Sequence, residues 1–106
     1  MPFRYRLQKV LDFRINQKEE QRMKVQKAQQ AVYQAEQDIK KNEQDILNTK
    51  QGMRTADPMM YESYDNYLSF LWKKAEELEA KRQELQQKLD IEVAKLVKCE
   101  QAVKVL

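Results

Sequence analysis

Few side chains in this sequence could make or break a covalent bond, and none has the company that such chemistry needs. Cys99 is the only thiol, the 106 residues contain no histidine, and Ser63, Ser69 and Thr55 have no base near them in sequence. One Cys without a His supplies no zinc-ligand spacing, and the chain carries neither a nucleophile elbow nor a Gly-rich phosphate loop. The 17 Asp and Glu residues read more simply as a solvated helical face than as acid and base pairs. The sequence therefore predicts no enzyme activity, no metal and no cofactor. The chemistry left to it is that of binding, through charge and aromatic surface.

The charge is small overall, +3, and uneven along the chain. Residues 1–30 hold eight Lys or Arg against three Asp or Glu, residues 31–66 four against seven, and residues 67–106 eight against seven. Arg4, Arg6, Lys9 and Arg14 dominate the basic start. A basic end can meet nucleic acid, but with no binding motif and no continuous arginine stripe a protein partner or a solvated surface is the favoured reading. Aromatics form two clusters. Phe3, Tyr5 and Phe13 lie at the start, and Tyr61, Tyr64, Tyr67, Phe70 and Trp72 follow Pro58. Exposed aromatics are typical anchors at protein interfaces; the alternative is that they wrap the flanks of a narrow coil. Met53, Met59 and Met60 add adaptable apolar surface beside them.

The elements that would position these groups are two arrays of seven-residue repeats flanking the only Gly and the only internal Pro. With Arg4 as position a, the a row of the first array is Arg4, Leu11, Lys18, Val25, Val32, Ile39 and Ile46, and the d row is Leu7, Arg14, Gln21, Ala28, Ala35, Asn42 and Thr49. In the second array Leu68, Ala75, Arg82, Leu89, Leu96 and Val103 form one row. Tyr64, Leu71, Leu78, Leu85, Glu92, Cys99 and Leu106 form the other. Repeats sustained this long argue for a coiled coil. Cys99, on a row, reads as a small seam hydrophobe. Tyr67 and Trp72 lie off both rows and are expected to be partly exposed.

Chain reversal is placed between the arrays. Gly52 suits a helix C-terminus, Asp57 an N-cap and Pro58 a first helical position. The expected fold is all-α: helix 1 over about 4–51, a turn over about 52–57 and helix 2 over about 58–106, forming one antiparallel coiled-coil hairpin with its tip near residue 55. Antiparallel partners whose numbers sum to 110 pair Val25 with Leu85, Val32 with Leu78, Ile39 with Leu71, Ile46 with Tyr64 and Leu7 with Val103. The same sum sets Lys18 against Glu92 and Ala35 beside Ala75. The charged pair acts either as a register device or as two side chains that snorkel to water. At about 1.5 Å of rise per residue each arm would reach roughly 70 Å. A two-stranded seam buries its apolar residues only in part while ordering costs about 1–2 kcal/mol per residue, so a partner surface is expected. No apolar run is long enough to span a bilayer, and the start MPFRYR lacks a signal peptide's apolar stretch, which predicts a soluble, cytoplasmic protein.

The opening Phe3-Arg4-Tyr5-Arg6-Leu7-Gln8-Lys9-Val10-Leu11-Asp12-Phe13-Arg14, followed by a Gln-, Glu- and Lys-rich helix and a Tyr-rich start to a second long helix, resembles the FliJ family of flagellar proteins. The opening is the specific part; the rest matches in architecture. The resemblance implies a component of the bacterial flagellar type III export apparatus, an antiparallel coiled coil similar to the central stalk of rotary ATPases. Its implied partners are the hexameric export ATPase, the cytoplasmic part of the export-gate membrane protein and export chaperones, with no nucleic acid and no membrane insertion. It implies a cytoplasmic place, peripheral to the membrane at the flagellar base. Family members usually continue beyond the residue at which this sequence stops, and Val105-Leu106 gives no helix stop signal. Carried onto these residues, the resemblance assigns Arg4, Arg6, Lys9, Leu11 and Arg14 to the ATPase ring. It assigns Ile39, Asn42, Tyr67, Leu71 and Lys74 to the gate, where Tyr64, Tyr67 and Leu71 repeat the family's aromatic-to-aliphatic spacing while Lys74 and Leu78 depart from it in type. Ile39 and Leu71 are also expected seam residues. The competing classes are a freestanding coiled-coil scaffold and a nucleic-acid-binding helical arm.

Overall fold

A computed structural model describes residues 2–105, with the side chains of 4–105. Phe3 and Leu106, assigned above to the first aromatic cluster and to a seam row, lie outside the described side chains. Helix α1 spans Pro2–Thr55, a 3-10 turn spans Pro58–Met60, and helix α2 spans Tyr61–Lys104. The two helices pack antiparallel as a hairpin, all-α as the heptads require. Two compact units make up the chain. The first joins residues up to Ala31 with those from Leu85 onward; the second is Val32–Glu84, which contains the turn.

The turn forms largely where local chemistry places it. Asp57 is extended at φ −59° and ψ 138°, its carboxylate accepts from the Met59 N–H at 3.2 Å, and Pro58 occupies the first position of the 3-10 turn, where its missing N–H is no loss. Gly52 does not end α1. The helix continues one turn past it to Thr55, and no glycine has a positive φ. The Thr55 hydroxyl donates to the Gly52 carbonyl at 3.3 Å, and the Ala56 N–H donates to Met53 at 3.3 Å, which satisfies two of the carbonyls left open at the helix end.

Both heptad rows of each array face the seam. Val25, Val32, Ala35, Leu68 and Leu71 are buried, as are the polar d residues Gln21 and Asn42. Every other row residue between Leu11 and Val103 is at least half-buried, while Tyr61, one heptad before Leu68, is 40% exposed beside the turn. Arg4 and Leu7 are exposed, although the heptad places them on the seam.

Register is where structure and sequence part. Asn42 Nδ2 donates to the Leu71 carbonyl at 3.1 Å, and Gln21 Nε2 donates to the Glu92 carbonyl at 3.0 Å. Side chains this short reach only a residue at nearly their own level, and both pairs sum to 113 rather than 110. Each unit thus has the same register, displaced three residues from the expected one, with the d row of α1 opposite the row of Leu71 and Glu92 and its a row one residue from direct opposition to the Leu68 row, whose pairs sum to 114. The turn agrees, because its centre lies between Ala56 and Asp57 rather than at residue 55. Lys18 therefore does not meet Glu92; Gln21 does. The gain is complementarity of size. At sum 113 the small Ala28 and Ala35 fall opposite Leu85 and Leu78, whereas at 110 Ala35 and Ala75 would share a layer and leave it underfilled.

Candidate functional site

In the first unit the five basic-end residues occupy one stretch of α1 but not one environment. Arg4, Arg6 and Lys9 are exposed, while Leu11 and Arg14 are half-buried. Arg14 Nη1 donates to the Ala102 carbonyl at 2.9 Å, which pins its guanidinium to α2. Lys9 Nζ sits 4.6 Å above the Tyr5 ring centre, an exposed cation–π contact, and Gln8 donates to Asp12 at 2.9 Å. Arg4, Leu7, Gln8 and Leu11 line a shallow cleft of about 270 Å³. Tyr5 and Phe13 are exposed on the same stretch of α1. The lining mixes two leucines with one cation and one amide.

The second unit carries the other five, and the structure separates them. Leu71 is 1% exposed and Asn42 2%, so both belong to the seam; Ile39 is half-buried. Tyr67, 48% exposed, and Lys74 stand at the surface. The Tyr67 ring stacks on Phe70 with centroids 6.2 Å apart, and Trp72 is exposed near Lys50, whose Nζ lies 6.0 Å from its ring centre. Met59 and Met60, also exposed, continue the apolar surface toward the turn. On another flank Asp38, Lys41, Asn42, Asp45, Lys74 and Leu78 line a groove of about 300 Å³. Asn42 Oδ1 is buried there without a hydrogen-bond partner.

The sequence does not single out the amides as register devices. Gln21 is a member of the d row, and Asn42 is one too and a residue that the resemblance assigns to the gate, yet the two make the cross-helix hydrogen bonds that set register. Their signal was present: they lie 21 residues apart, three full heptads, and so do Leu71 and Glu92. Gln21 also donates to the Glu92 carboxylate, which holds that group below the usual glutamate range. Partial burial opposes this, and Lys95 and Lys24 assist it. Glu79 is lowered by its hydrogen bonds from Arg82, which the same contact raises. Among the described residues no group of His, Cys, Asp or Glu could hold a metal ion, Cys99 is a half-buried free thiol, and no helix is long and apolar enough to cross a membrane. No family model matches this chain, and no curated protein or solved structure matches it significantly.

Proposed function

We propose that this hairpin is a non-enzymatic component of the bacterial flagellar type III export apparatus, a stalk that links the hexameric export ATPase to the cytoplasmic part of the export-gate protein and also meets export chaperones. The observation that carries the reading is the pairing of the opening motif, Phe3 to Arg14, with an antiparallel hairpin whose two units offer different surfaces. The first unit presents exposed Arg4, Arg6 and Lys9 and a cleft lined by Arg4, Leu7, Gln8 and Leu11, suited to an acidic channel; the second presents the Tyr67 and Phe70 stack and, at the surface, Lys74. A protein that couples two assemblies needs two such surfaces and no active site of its own. On this reading the protein works on the cytoplasmic side, at the membrane but not in it.

Co-purification with the hexameric ATPase, and stimulation of ATP hydrolysis on adding the hairpin, test the proposal. Binding with stimulation supports it. A chain that leaves the ATPase untouched while remaining fully helical is instead a freestanding scaffold. RNA binding with a steep salt dependence would point to the nucleic-acid reading.

A further inference from the structure

We propose that the hairpin has two built-in registers and that its turn selects between them: the observed one, and a second, displaced by three residues, in which α1 stops at Gly52. This goes beyond the coupling role proposed above, which a rigid hairpin would satisfy, and does not depend on it.

The heptads make the second register available. Rows a and d are three residues apart in one direction and four in the other, so a three-residue slide of α2, about 4.5 Å, exchanges the row that faces each d residue of α1 and leaves each a residue one position from the other row, with both rows still on the seam. Apolar burial is kept in most layers, the layer of Ala35 and Ala75 at sum 110 being the underfilled one. At sum 110 Val32 meets Leu78, Ile39 meets Leu71 and Ile46 meets Tyr64, and Lys18 reaches Glu92. At sum 113 the amides of Gln21 and Asn42 hold the main chain of Glu92 and Leu71 instead. Each register has its own polar device. The device in use is incomplete, because Asn42 Oδ1 is buried unpaired, and a buried acceptor left unmade is costly.

The turn carries stop signals for both registers. Sum 110 places Gly52 opposite Pro58, which suits an α1 that ends on a left-handed glycine with Met53 to Ala56 as the connection. In the observed register Gly52 instead lies inside the helix, where glycine is among the poorest residues. Close packing alone does not demand it. A Cβ on Gly52 would approach Cε1 and Oη of Tyr64 at 3.3 Å, and this is the far end of a ring that can yield by a few tenths of an ångström. Glycine at this position keeps the shorter α1 accessible. A partner that engages Met53 to Thr55 unwound would draw α2 along, changing which side chains of α2 lie beside α1 in each unit.

Disulfide trapping reads the register directly, because bridged Cα atoms must lie within about 7 Å and a slide of 4.5 Å separates one pairing from the other. In a full-length Cys99→Ala background, Ala35→Cys with Leu78→Cys reports sum 113, and Ala35→Cys with Ala75→Cys reports sum 110. Both bridges are expected in the parent, the second forming more slowly. Gln21→Leu with Asn42→Leu is expected to raise the rate of the second relative to the first, and Gly52→Ala to lower it, with helicity by circular dichroism retained in every variant. The proposal is overturned if the Ala35 to Ala75 bridge never forms in a helical variant, or if either change leaves the ratio of the two rates where it was.

Discussion

At the scale of the residue, burial separates side chains that the family resemblance groups together and the heptad sets apart. Leu71 is 1% exposed at the centre of the second unit, so Leu71→Ala should destabilise the hairpin by about 2–5 kcal/mol, at the low end because a narrow coil can collapse around the gap. Tyr67 stands half out of the fold, stacked only on Phe70. On the export-apparatus reading proposed above, Tyr67→Ala should leave the melting temperature nearly unchanged while weakening gate binding, since an interface aromatic can carry more than about 2 kcal/mol of affinity. Thermal melts beside gate titrations check both; a Tyr67→Ala variant that melts as early as Leu71→Ala would make Tyr67 structural. Glu92 supplies the pH dependence. Its carboxyl is held below the ordinary value chiefly by Gln21, so it favours the folded state while ionised, and that contribution fades as pH falls through the ordinary glutamate range and past the lowered folded value. Melting temperature should therefore drop on acidification across that window, and Glu92→Gln should flatten the part of the slope that Glu92 causes. An unaltered slope in Glu92→Gln would show that Gln21 does not discriminate between the two charge states.

At the scale of the element, the turn is a short device with one charged cap. Asp57 holds the Met59 N–H, Pro58 follows, and α2 begins at Tyr61. Removing a cap of this kind costs about 0.5–2 kcal/mol in helices, so Asp57→Ala should lower stability by roughly 1 kcal/mol, with the loss measured by denaturant unfolding. Asp57→Asn or Asp57→Ser, which keep an acceptor, should recover most of it. If all three variants lose equally, the carboxylate's charge rather than its hydrogen bond holds the turn. The salt bridges of α2 matter less. Arg82 and Glu79 lie 2.7 Å apart, but both keep part of their side chain in solvent and lie within one helix, where such pairs stabilise little.

At the scale of the whole molecule, the proposed function rests on charge held apart from the seam. Arg4, Arg6 and Lys9 are exposed, so on the export-apparatus reading proposed above reversing all three to Glu should keep helicity while weakening binding to the export ATPase. The deficit should be greatest at low salt, where unscreened attraction acts over the longest range. Equal affinity of parent and variant at low ionic strength would remove this end of the hairpin from the ATPase interface. Arg14→Ala is the complementary change. Its guanidinium is tied to the Ala102 carbonyl, so it should loosen the first unit as well as reduce charge, and its effect should appear in the melt before it appears in binding.

Sequence by itself determined the two helices, the rows that form the seam, the place of the turn and the exposure of Tyr67 and Trp72. These follow from local facts: a seven-residue period keeps the same side chains on one helical face whatever lies opposite, and Asp57-Pro58 caps a turn through atoms two residues apart. Only the tertiary structure decided that Gln21 and not Lys18 meets Glu92, that Gly52 stays helical, and that Arg4 and Leu7 are exposed. The first two follow from register. Sum 110 sets seam rows against seam rows, and so, within one residue, does the half-heptad shift to 113 for the d row and 114 for the a row, so periodicity cannot rank them. The choice falls to the volumes that meet across the interface, Ala35 before Leu78, and to two amides whose acceptors are main-chain carbonyls of the other helix. Every residue has such a carbonyl, so no residue type in the sequence marks it.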